Sequence, residues 1–249
     1  MPAFTTPSPI TAHIAAGSGS VRLIATDRTD TVVEVRPRDE SRTADVRSAE
    51  QSRVAYANGR LTVEPAKSGL LGYRMGTVDI VVELPAHSRV RVAVASADVR
   101  AEGEFADFRL HSASGRLDLQ SVSGTAKIST ASGDAAIADL DGAVTFQAAS
   151  GSLSVDRLRG NATVNAASGS LTVATAVSGA VVAHTSSGDV EVGIPEGTAA
   201  QLDIVTGSGT VTNRMRPSDG PEPGEHTIRV RVRAGSGDIE IHRSLIAHA

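Results

Sequence analysis

The sequence contains no cysteine and no tryptophan, and its only rings besides histidine are Phe4, Tyr56, Tyr73, Phe105, Phe108 and Phe146. Without cysteine, a disulfide scaffold, a thiolate metal site and a thiol nucleophile are all excluded. With so few aromatics, the core of a 249-residue chain must be built from Val, Leu, Ile and Ala. That composition suits thin, regular packing better than one bulky globule. Long apolar runs are also missing: stretches such as residues 79–84 fall far short of the roughly 20 residues that span a bilayer. Residues 1–14 hold no Lys or Arg and no apolar run, so they lack the two leading parts of a secretory signal. A cytoplasmic location without membrane insertion is therefore expected. The net charge of -4, with signs mixed along the chain, argues against a general nucleic-acid binder.

What the sequence has instead is a repeat. Ala-Ser-Gly recurs at 113–115, 131–133, 149–151 and 167–169, and Ser-Ser-Gly follows at 186–188, so these glycines step by 18, 18, 18 and 19 residues. A second series, Gly124, Gly142, Gly160, Gly179 and Gly197, runs nine residues out of phase. Each half-unit reads as a glycine turn followed by a short strand of period two. Apolar residues stand two and four places after the first glycine, as in Leu117/Leu119, Ala135/Ile137, Leu153/Val155 and Leu171/Val173. They recur after the second, as in Ala126/Ile128, Val144/Phe146 and Ala162/Val164. Alternation puts these inside and their polar neighbours in solvent. Antiparallel sandwiches alternate too, but a constant 18-residue step makes each period one coil, with like residues stacked about 4.8 Å apart. The expected fold is all-β: a single-stranded parallel β-helix, or β-solenoid, with about 18 residues per coil, right-handed by the general preference of parallel crossovers.

The flanks are less regular. Asn58 and Gly59 mark a two-residue hairpin between strands 53–57 and 60–64. Residues 41–51 suggest a short surface helix, 66–76 a loop, 217–224 a Pro/Gly loop, and 235–241 a last coil. The expected organisation is one structural domain with three parts. Residues 1–85 form irregular strands and a cap, 86–213 the regular coils, and 214–249 a loop and final coil.

Chemistry is hard to find in this pattern. The serine column Ser114, Ser132, Ser150, Ser168 and Ser187 has no histidine at its level to act as base, so it reads as a corner ladder. His111 and His184 share a column but lie four coils apart, too far to share a metal. Asp98, Asp134 and Asp189 follow corner residues at two- and three-coil separations, roughly 10 to 14 Å, too wide for most hydrolytic carboxylate pairs. The Gly-Ser-Gly turns at 17–19, 207–209 and 235–237 lead into strands, without the helix that would hold a phosphate. Arg229, Arg231 and Arg233 alternate into a basic stripe that lacks aromatic stacking partners. No catalytic residue, metal site or cofactor is expected. The candidate contact surface is the outer face of the second strand series: Thr125, Lys127, Ser129, Thr145, Gln147, Asn161, Thr163 and Asn165, a flat polar lattice with one charge.

Several segments form an ordered set: Val82-Glu83-Leu84-Pro85 leading into Val90, the repeated Ser-Gly-x-Leu-x-Val units, Ile194-Pro195-Glu196-Gly197, and the closing Gly-Ser-Gly-Asp-Ile-Glu-Ile. As a set, over roughly residues 10–241, they resemble the bacterial β-strand-repeat family of unknown function often labelled "putative adhesin". The resemblance implies a parallel β-helical fold and supplies no catalytic residues. The functional expectation is a non-catalytic binding or scaffold protein with an unidentified protein or polymer partner. One alternative is a structural protein that self-assembles through exposed solenoid ends. A polysaccharide-acting β-helix enzyme ranks lower, because clustered acidic and basic residues are missing.

Overall fold

A computed structural model describes residues 1–65, 76–217, 220–221 and 224–244. The chain divides into two compact units, Met1–Ser123 and Gly124–Ala249. The fold is all-β, with one helix among the described residues. The loop expected at 66–76 lies outside the described residues apart from Gly76.

In the second unit, β9 (Ala135–Ser150), β10 (Leu153–Ser168) and β11 (Leu171–Ser187) follow the end of β8 (Leu117–Ser132). They pair in parallel with the repeat as their register: Leu153 stands beside Ala135 and Leu171, and Val164 beside Phe146 and Ala183. Each strand is a whole coil of a β-solenoid. The one 19-residue step of this stretch is absorbed as a register shift between Leu158 and Arg159. Alternation along the coil buries Leu153, Val155, Ala162 and Val164. A further inward column, Leu140, Leu158 and Ala176, is fully buried and carries no glycine marker in the sequence. Fully burying each Leu or Val contributes about 1.5–3 kcal/mol.

The corners explain the glycines. Gly151 has φ +145°, and a methyl group there would overlap the carbonyl oxygen of Gly133 one coil away. Gly160 stands in the same relation to Gly142. Only glycine allows both this backbone and this approach.

The chain end departs from simple succession. After β12 (Val190–Ile194) come β13 (Thr198–Ser208) and β14 (Val211–Asn213), then the Pro/Gly loop, then β15 (His226–Ser236) and β16 (Ile239–Arg243). In space the last pair lies inside: β15 pairs with β11 on one side and β13 on the other, and β16 lies between β12 and β14. Accordingly Gly237 stacks on Gly188, and Gly209 on Gly237. The expected final coil is present, yet the coil containing Gly209 forms the edge.

The first unit has the same feature. β2 (Thr11–Thr26) pairs with β7 (Ser88–Ser114) on one side. On its other side it meets β5 (Arg60–Glu64) and β6 (Thr77–Pro85). Antiparallel strands then cover the outside: β3 (Asp30–Pro37) on β6, β1 (Ala3–Thr5) on β3, and β4 (Arg53–Ala57) on β5. The β4–β5 turn carries Asn58 at φ 51° and Gly59 at φ 73°, the left-handed pair a tight hairpin requires. The helix α1 (Thr43–Glu50) is tied down by buried Asp45, whose Oδ1 accepts from the Thr77 N–H at 2.9 Å.

Candidate functional site

The outer surface of β9, β10 and β11 places most of the expected lattice side by side. Thr163 of β10 is the Cα partner of Thr145 on β9, and Asn165 of Gln147; Asn161 stands beside Ala143. Gly142 stacks on Gly124. That contact sets Thr125, Lys127 and Ser129 in the rows of Ala143, Thr145 and Gln147. Lys127, Gln147, Asn161 and Asn165 are exposed, while Thr125, Ser129, Thr145 and Thr163 are half-buried. Among the described residues, the Gln147, Asn161, Thr163 and Asn165 side chains have no hydrogen-bond partner. Amide and hydroxyl groups recur about 4.8 Å apart across the strands, and about 6.8 Å apart along each strand. Such a grid offers both donors and acceptors to a repeating ligand or a protein edge.

The lattice ends abruptly. On β11 the same rows are continued by Ala180, Val182 and His184. On β15 they are continued by Arg229, Arg231 and Arg233, and on β13 by Gln201, Asp203 and Val205. The basic stripe is largely satisfied within the protein. Arg231 donates to Asp203 Oδ2 at 3.0 Å, Arg233 donates to both Asp203 oxygens at 2.8 Å, and Arg229 donates to Gln201 Oε1 at 3.1 Å. The Arg233 hydrogen bonds, then its charge, hold the Asp203 carboxyl below the usual range.

The corner carboxylates have a structural task that the spacing argument did not reveal. Asp134 Oδ1 accepts from the Ser152 N–H at 2.8 Å, and Ser152 Oγ from the Ser170 N–H at 3.3 Å. The relay continues through Ser170 Oγ to Asp189 N–H, Asp189 Oδ1 to Asp238 N–H, and Asp238 Oδ1 to Thr210 N–H. In the first unit Asp98 Oδ1 accepts from Arg116 N–H at 2.9 Å. Each side chain thus satisfies a corner donor that the strand ladder leaves unpaired. An aspartate or serine directly after a corner glycine was the available signal. The corner serines lend their carbonyls to the stack, as when Ser168 accepts from Gly151 N–H at 3.0 Å. Among the described residues no group of His, Asp or Glu is placed to hold a metal ion, and no helix is long and apolar enough to cross a membrane.

Residues 13–242 match the model of the Toastrack family, DUF4097, and the chain belongs to that family. A crystal structure described as a "putative adhesin" from Bacteroides fragilis is similar at 13% identity, covering 96% of this chain and 95% of the other, with a TM-score of 0.53. A "putative cell adhesion protein" from Clostridium sporogenes aligns at 12% identity over 97% and 98% of the two chains, with a TM-score of 0.27. No curated protein matches the chain. At these identities the likeness to the first structure speaks for the fold.

Proposed function

We propose that the protein is a non-catalytic binding or scaffold module whose contact surface is the polar lattice of the second unit. The observation that carries this reading is the in-register grid of Thr145, Gln147, Thr163 and Asn165, with Asn161 beside it. Among the described residues, the Gln147, Asn161, Thr163 and Asn165 side chains have no hydrogen-bond partner. Aspartates and serines at the corners are spent on backbone donors there, as with Asp134, Ser152, Ser170 and Asp189, which favours binding over turnover. Adhesion, the role named for the two solved structures, is one form such binding would take. The partner is a protein or polymer; nucleic acid is disfavoured because the Arg229–Arg231–Arg233 row is answered by Gln201 and Asp203. The test is capture of a stoichiometric partner with wild type and with the Asn161→Ala/Thr163→Ala/Asn165→Ala variant. Loss of the partner from a folded variant is expected; full retention would remove this face.

A second reading, self-association through the solenoid end, is favoured by the terminal coil. The outer edge of β13 carries no strand among the described residues, and Val205 and Val211 are 50% and 45% exposed. Unpaired edges of this kind accept a further strand. We also propose that residues 1–85 cap the stack, 86–213 supply its regular coils and 214–249 complete it, within one structural domain in a cytoplasmic protein.

A further inference from the structure

On the first unit, outward residues of β5, β2 and β7 gather positive charge around a depression. The rows across β5, β2 and β7 run Arg60–Thr11–Arg89 and Thr62–His13–Arg91, followed by a third row, Ala15–Ala93, on β2 and β7. The start of β7 is overlaid by its own later part with the 18-residue step. Arg89 Nε meets Asp107 at 3.2 Å, and the Ser96 and Ser114 hydroxyls lie 2.9 Å apart. The same step extends the second and third rows to Arg109 and His111. A cavity of about 330 Å³ opens here, lined by His13, Thr62, Glu64, Arg91, Arg109 and His111, among others. Ala15 and Ala93 also line it, and their small side chains leave space among the longer ones.

What sets this face apart is several unanswered arginines gathered at one depression. Other arginines of the unit are answered by carboxylates, Arg22 and Arg100 by Glu102, Arg28 by Asp30 and Glu83, Arg116 by Asp118. Arg47 and Arg53, which have no such partner among the described residues, lie away from this cavity's lining. Here Arg89 alone is answered, by Asp107. Arg60, Arg91 and Arg109 have no carboxylate partner among the described residues, against the single unpaired carboxylate Glu64. A second observation points inward: His13 Nε2 is shielded from solvent and finds no hydrogen-bond partner among the described residues.

We propose that this depression is a binding site for a compact tetrahedral oxyanion, a phosphate group, held by Arg91 and Arg109 with His13 at its base and Arg60 alongside. Arginines on successive coils, whose backbones lie about 4.8 Å apart, can bring two guanidinium groups to one phosphate, and their paired N–H donors match its oxygens. The orphaned His13 nitrogen becomes a donor once the ring is protonated. Burial, then Arg91, then Arg60 lower the pKa of His13. An anion would offset both arginine charges, so a bound phosphate favours the protonated His13 ring, while the phosphate loses its own second charge over the same range, pH 8 to 6. Glu64 and the Asp107 carboxylate beside Arg89 oppose the anion, and the His111 ring also lines the cavity.

The group can arrive as free phosphate or on a sugar. The experiment titrates the full chain at constant ionic strength with inorganic phosphate, glucose 6-phosphate and neutral glucose, following the ring resonances of His13. Saturable shifts with at least one anion, and none with glucose, are expected. Equal affinities, or a preference for inorganic phosphate, identify the free group as the ligand, and tighter binding of the sugar phosphate assigns the carrier a contact. Arg91→Gln/Arg109→Gln is expected to weaken binding about tenfold or more, while Arg116→Gln, on another column, leaves it unchanged. The ratio of wild-type to His13→Gln affinity should rise from pH 8 to pH 6, because the phosphate's own titration is common to both proteins. Absence of saturation by either anion below about 10 mM, or equal binding by the double variant, would overturn the site.

Discussion

A methyl group at Gly151 would collide with the Gly133 carbonyl and would also force a side chain onto a backbone at φ +145°. Gly151→Ala is therefore predicted to cost upwards of about 2 kcal/mol. Gly59 provides the contrast: it needs a positive φ but has open space around it, so Gly59→Ala should cost only about 1 kcal/mol. Urea midpoints of the two variants decide, and equal losses would contradict the stacked-corner account. Asp134 is a second residue-scale test. Removing its oxygen leaves the Ser152 N–H without its acceptor, so Asp134→Ala should lose about 1 kcal/mol and Asp134→Asn less. His13 supplies a pH dependence. Its pKa is lowered in the folded protein, so the unfolded chain takes up the proton first. Its contribution is complete above the ordinary histidine value near 6.5 and is lost as pH falls through the folded value. Stability should decline over that window in wild type and less so in His13→Gln, measured by urea titration in a phosphate-free buffer.

At the scale of the strand, Leu158 belongs to the buried column between Leu140 and Ala176. Leu158→Ala is predicted to cost about 2–5 kcal/mol by cavity formation. The glycine series made the coil length, the corners and the paired apolar columns legible in the sequence, because each recurs at a fixed distance from a glycine. The Leu158 column was harder to see: it contributes one residue per coil, without an alternating neighbour to mark it. The order of coils at the chain end was not legible at all. Gly209 and Gly237 both open with Ser-Gly and both lead into short strands, and parallel pairing of like coils does not depend on chain order. Hydrogen exchange tests the outcome. Amides of β15, flanked on both sides, should exchange more slowly than those of β13 at the edge. The reverse ranking would restore simple succession.

For the molecule as a whole, the proposed single domain predicts one cooperative calorimetric transition, and two separate transitions would divide it. The terminal coil predicts weak association: sedimentation velocity over a hundredfold concentration range should show growth that Val205→Lys suppresses. Concentration-independent monomers would leave the side faces as the place of contact. The polar lattice was readable as a surface because its residues alternate with buried ones. Its boundary was not, because that depends on Val182 and on β15 being brought beside β11. The most direct test of the binding role is site-specific photo-crosslinking with captured partner. One probe is placed at Gln147 or Asn165 on the lattice, and another at Ser154 or Thr172 on the other strand series. The account predicts a discrete crosslinked product from the lattice positions and little from the others. Equal crosslinking from both sets, or crosslinking from Ser154 and Thr172 alone, would contradict it.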